Sequence, residues 1–148
     1  MVGGVCAVLH GAPVATFALD LVHSRSPDNL DRLISAVKKL DAYYRWRGDQ
    51  RLSPGLSHLS SPGHQLLMTK FGPPDLRGTI GIGHSYDELL KHTVELKVSR
   101  LRVHALDLET LIEVKKETIS EKDKAIIPIL QRTLEEKLKS RVKPKVLT

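Results

Sequence analysis

The chain has 148 residues, of which 23 are Lys or Arg and 17 are Asp or Glu, for a formal net charge of +6, with 41% hydrophobic residues and few aromatics. This length holds one domain, and the composition excludes disordered, collagen-like, fibrous and disulfide-scaffold classes. The charge is concentrated at one end. Lys137, Lys139, Arg141, Lys143 and Lys145 follow one another with no acid, so residues 1–136 hold 18 basic against 17 acidic groups. The expected organisation is a single domain over 1–136 and a basic C-terminal tail over 137–148.

A single cysteine, Cys6, excludes an intramolecular disulfide and a Cys-rich zinc site, and fits a reducing compartment. Residues 2–22 carry no Lys or Arg and are interrupted by Gly11, Pro13 and Asp20. A signal peptide needs positive charge before its apolar run, and a membrane span needs about 20 apolar residues. A cytoplasmic protein with no membrane partner is expected.

In chain order, Gly3-Gly4 followed by Val5, Ala7, Val8 and Leu9 predicts a short buried helix. Thr16 to His23 alternates and predicts a strand. Ser26-Pro27-Asp28 is a helix start, and Leu30, Leu33, Ile34, Val37 and Leu40 supply a helical stripe to about Ala42. Tyr43 to Gly63, rich in Ser, Gly, Pro and Arg, reads as a long loop. Gln65–Phe71 and Pro74–Arg77 around Gly72-Pro73 predict a hairpin, and a Gly-rich turn over 78–83 leads to a capping box at Ser85. Thr93–Val98 and Leu101–Ala105 predict two strands. Asp107 and Ser120 open two final helices, with Pro128 expected to kink the second near Lys124. The order indicates an α+β protein with a mixed sheet packed against helices.

Seven histidines show no pair one, three or four residues apart, which argues against a His-based zinc site. There is no Gly-x-Ser-x-Gly turn for a serine nucleophile. Gly78-x-x-Gly81-x-Gly83 lacks the Lys-Ser/Thr of a phosphate loop and reads as a connector. Two carboxylates on strands remain, Asp20 and Asp75. Either they face solvent at strand ends, or they meet at one edge as hard oxygen ligands for Mg²⁺.

The order of these features carries a resemblance. Gly3-Gly4 opening a helix, a strand with Thr16-x-Ala18-x-Asp20, the hairpin Leu67 to Leu76 bearing Asp75, and Asp107-Leu108-Glu109-Thr110-Leu111-Ile112 with Lys115 and Lys122-Asp123 resemble bacterial proteins of the nucleotidyltransferase (polymerase-β-like) fold. The resemblance runs over nearly the whole chain. It implies a nucleotidyltransferase-fold sheet with C-terminal helices, a nucleoside triphosphate as ligand, Mg²⁺ as cofactor, and transfer of a nucleoside monophosphate to a protein, RNA or small-molecule acceptor. Residue by residue, it implies that Gly3, Gly4 and Lys115 bind the nucleotide, that Asp20 and Asp75 are catalytic metal ligands, and that Lys122 and Asp123 have a positional role.

The departures are equally specific. Ala18 stands where the first metal-binding acid belongs, Ser120 where relatives often have Arg, and a strand and helix are expected before Gly3. The resemblance therefore implies either an enzyme impaired by Ala18 or a catalytically inactive module that binds nucleotide or a partner. The basic tail together with Arg45, Arg47 and Arg51 beside Tyr43, Tyr44 and Trp46 gives a third reading, a nucleic-acid surface, unless the aromatics close the core.

Overall fold

A computed structural model describes residues 1–48, 50–118 and 120–142; Lys143 and Lys145 of the expected tail lie outside these. Hydrophobic periodicity yields six helices and eight strands among the described residues, an α+β architecture. A short helix α1 (Gly3–Leu9) precedes β1 (Leu19–Val22), α2 (Pro27–Lys39), β2 (Tyr43–Tyr44), α3 (Leu56–Leu59), β3 (His64–Met68) and β4 (Pro74–Arg77). Two strand pairs and three helices complete the chain: β5 (Thr79–Ile80), β6 (His84–Ser85), α4 (Tyr86–Leu90), β7 (Thr93–Val98), β8 (Leu101–Leu106), α5 (Leu108–Glu117) and α6 (Glu121–Val142).

The main sheet has the order β1-β4-β3-β2 and is mixed. β1 and β4 run parallel with Asp20 opposite Asp75, while β3 is antiparallel to β4. Alternation along the strands separates two faces. Leu21, Leu67 and Leu76 pack with Leu30 and Val37 of α2, and Val22 turns instead toward a larger core built from α1, β8, α5 and α6 around Cys6, Leu106, Leu111 and Leu130. Asp20, Asp75 and Arg77 share Val22's side of the sheet.

Met1 and Val2 connect the sheet to the β7–β8 hairpin. The Met1 amine donates to His104 O, Leu106 N–H donates to Met1 O, and Val2 N–H donates to Asp20 O.

Several expectations change in detail. The first strand is Leu19–Val22 rather than Thr16–His23, because the Thr16 hydroxyl bonds the Ala18 carbonyl and draws that stretch out of the ladder. The α2 helix ends at Lys39 instead of running to Ala42: Asp41 takes φ +49° and Ala42 N–H donates back to Val37 O, a Schellman-type stop. The Tyr43–Gly63 segment is not one loop, since it contains β2 and α3. The boundary at 136/137 falls inside α6, so Lys137, Lys139 and Arg141 are on its last turns. That helix runs through Pro128 as one element. The capping expectations hold at Ser85, Asp107 and Ser120, whose side chains accept from Glu88, Thr110 and Asp123 N–H groups.

Candidate functional site

A cleft of about 370 Å³ opens between α1, the cleft face of the main sheet and the α5–α6 junction. Gly3, Gly4, Ala18, Asp20, Asp75, Lys115, Lys122 and Asp123 all line it. The fold thus brings together the residues to which the resemblance assigns a role, from both ends of the chain.

Glycine is required at its α1 wall by contact. Gly3 has φ +71°, and a Cβ there would overlap the Asp20 carboxylate; a Cβ on Gly4 would overlap the Thr16 side chain. Among the described residues, no side chain caps the start of α1.

The two acids are neutralised by arginines. Arg77 donates from Nε and Nη2 to Asp20 Oδ1 at 3.0 and 2.9 Å, and its Nη2 lies 3.8 Å from Asp75 Oδ2. Arg45 donates from Nη2 to Asp75 Oδ1 and from Nη1 to Leu67 O, both at 2.6 Å. The Arg45–Asp75 pair is nearly dry, with side chains 7% and 9% exposed. Burial pushes the Asp20 carboxyl above its usual range, a like charge on Asp75 adds to this, and Arg77 opposes it.

His64 Nδ1 accepts from Arg77 Nη1 at 2.7 Å while its Nε2 faces Thr79 O at 3.1 Å, a pattern that requires the neutral Nε2–H tautomer. Burial, then the Arg77 charge, accordingly lowers its pKa.

On the opposite wall, Lys115 Nζ donates to Asp123 Oδ1 at 3.4 Å, and Asp123 Oδ2 accepts from Ser120 Oγ at 2.8 Å. Asp123 therefore both steadies the Ser120 cap of α6 and holds Lys115 at the cleft. Lys122 sits on the rim, exposed and with no carboxylate partner among the described residues.

Sequence reasoning missed Arg45, Arg77 and His64. The spacing of Arg77, two residues beyond Asp75 on one strand, places both on one face and was a readable signal. Nothing local in the sequence marks Arg45, which reaches Asp75 only because β2 pairs with β3. Of the Arg–aromatic cluster, Arg45 is an internal ion-pair partner whose guanidinium also lies 5.4 Å from the exposed Phe17 ring, while Trp46 is 82% exposed.

Ala18 offers a buried methyl group and both acids are committed to guanidinium groups, so the donor set on the cleft falls short of a complete two-metal centre. Comparison with known proteins found no matching family model and no matching curated protein.

Proposed function

We propose that this cleft binds a nucleoside triphosphate, and that the chain is a nucleotide-binding module of nucleotidyltransferase-like architecture that does not transfer the nucleotide. The observation that carries the reading is the convergence of Gly3, Gly4, Asp20, Asp75 and Lys115 on one cleft. Lys115 and Lys122, which both line the cleft, supply charge for phosphate oxygens. Arginines on Asp20 and Asp75, with a methyl group at Ala18, take the place of metal chemistry on which transfer depends.

Calorimetry with ATP, CTP, GTP and UTP, in EDTA and in Mg²⁺, tests this. The expected result is binding of at least one nucleotide in EDTA, with an affinity on the order of micromolar that changes little on adding Mg²⁺. Absence of binding by all four nucleotides in both buffers sinks the reading.

One observation favours a second reading, a Mg²⁺-dependent transferase: Asp20 and Asp75 stand at the same register on parallel neighbours. That reading predicts that Mg²⁺ strengthens nucleotide binding, that Asp75→Asn abolishes the gain, and that labelled monophosphate passes to a protein, RNA or small-molecule acceptor.

A further inference from the structure

The β7–β8 hairpin leaves one strand edge open. The outer edge of β8 is occupied at its C-terminal end, since Met1 bonds to His104 O and Leu106 N–H. Among the described residues, the outer edge of β7 pairs with no other strand. The two strands are joined by the two-residue turn Ser99-Arg100, with Val98 opposite Leu101 as the closing pair. Such a turn makes the closing pair a hydrogen-bonded one, and hydrogen-bonded pairs alternate along an antiparallel ladder. Val98, Leu96 and Val94 therefore point their backbone groups at β8. Lys97 and Glu95 point theirs outward, and among the described residues no backbone group bonds to them.

The side chains divide equally cleanly. Val94, Leu96, Val98, Leu101, Val103 and Ala105 share one face, as three apolar cross-strand pairs. That face is incompletely covered: Leu101 is 67% exposed, Val94 39% and Val98 38%. Val94 and Leu96 also border a groove with Leu134 and the exposed Leu138 of α6.

We infer that β7 is a self-association edge, pairing antiparallel with β7 of a second copy about a two-fold axis at Leu96. Only one register satisfies both the backbone and the charges. Backbone groups that point outward must meet others that do, so Glu95 and Lys97 can face only odd-numbered positions of the second strand. Centring on Glu95 sets it against its own copy, and centring on Lys97 does the same for the lysine. Centring on Leu96 sets Glu95 opposite Lys97 of the second copy and Lys97 opposite Glu95 of the second copy, both in hydrogen-bonded pairs.

The same register places Val94 beside Val98 of the second copy and continues the apolar face across the axis. It also supplies an acidic partner to Lys97. Lys97 faces Arg102 across the ladder and has no acidic partner among the described residues, while Glu95 Oε1 is 3.6 Å from Arg102 Nη1. The β8 edge has no such match, because a two-fold at Val103 would set Arg102 against His104. A strand edge carrying one lysine repels a copy of itself; a Glu-x-Lys edge attracts one.

Sedimentation equilibrium on the full chain, from about 5 to 500 μM, is expected to show a monomer–dimer equilibrium of the weak class that a short interface supports. Glu95→Lys and Lys97→Glu each put like charges in both pairs and are expected to weaken dimerisation at least tenfold. An equimolar mixture of the two single variants restores opposite pairs and is expected to form heterodimers, and the double variant is expected to form homodimers. A chain that stays monomeric at the highest concentration overturns the inference, as does a dimer that survives both single variants. Amide exchange on the unaltered chain needs no variant to fold. Protection at Glu95 and Lys97 must rise with protein concentration, and flat protection at both overturns the inference.

Discussion

Gly3 lies against the carboxylate of Asp20 so closely that no side chain fits between them, and the backbone N–H of the preceding Val2 donates to Asp20 O at 3.0 Å. Helix and strand are thus docked through a glycine at φ +71°. Gly3→Ala meets a left-handed backbone, at about 1–2 kcal/mol, and also forces Asp20 away from Arg77. Gly11, at φ +94° with open space beside it, has only the backbone cost. The expected outcome is a melting temperature lowered by roughly 2–4 °C for each kcal/mol lost, and clearly more for Gly3→Ala than for Gly11→Ala. Equal losses from the two variants, by differential scanning calorimetry, refute the contact as the source.

Arg45 and Asp75 are mutually dependent. Each is almost fully buried, and Arg45 Nε has no partner of its own, so the pair rests on the Nη2–Oδ1 bond and the Leu67 carbonyl. Removing either partner strands a charge, at about 3–5 kcal/mol, whereas replacing both by apolar groups is close to neutral. Arg45→Met and Asp75→Leu are each expected to destabilise strongly, and the double variant to recover most of the loss. A double-mutant cycle in urea measures the coupling, and additive losses count against it.

His84 clamps the β5–β6 turn to the end of α5. Nδ1 lies 2.9 Å from Glu88 Oε1 and Nε2 2.8 Å from Glu117 Oε1, and Glu117 Oε2 accepts from Ile82 N–H. The hydrogen bond to Glu117, then that to Glu88, raises the His84 pKa above 6.5. Stability from this clamp is full below pH 6.5 and is lost as pH rises through the folded-state pKa. His23 and His64 are lowered chiefly by burial, so their contribution runs the other way and is lost as pH falls below 6.5. The test is therefore the difference between the unaltered chain and His84→Gln in thermal unfolding at pH 5.5 to 8.5. The gap is expected to be widest at the acid end and to close toward the alkaline end; a gap that grows with pH contradicts the assignment.

What could be read from the sequence follows from how local each signal is. Caps at Ser85, Asp107 and Ser120, and the alternation of β7 and β8, depend on neighbours in the chain and were legible. The end of α2 was not, because Leu40 continues the apolar period while the stop depends on Asp41 adopting a left-handed backbone. Thr16 to Ala18 looked like strand because its residues favour one, yet a single hydroxyl–carbonyl bond competes with the ladder there. At the site, Gly3, Gly4, Asp20, Asp75 and Lys115 were legible as an ordered set. Their neutralisation was not, since Arg45 meets Asp75 only through the pairing of three strands.

Lys115 and Asp123 provide the sharpest test of the cleft as a phosphate site. Lys115 reaches the cleft from α5, and Asp123 at the start of α6 orients it across 3.4 Å while also closing the cap with Ser120. Lys115→Met keeps the aliphatic stem and removes the charge. It is expected to weaken nucleotide affinity at least tenfold, an amount on the scale of one charge-assisted hydrogen bond, and to leave the melting temperature within a few degrees. Asp123→Asn retains cap geometry and frees the Lys115 charge for phosphate, so affinity should hold or rise. Asp123→Ala also removes the acceptor of the Ser120 hydroxyl while leaving Ser120 Oγ on the Asp123 backbone N–H, and should lower stability by about 0.5–1.5 kcal/mol. Calorimetric titration of ATP beside thermal unfolding separates the two effects, and a Lys115→Met chain that binds nucleotide as well as the original takes Lys115 out of the site.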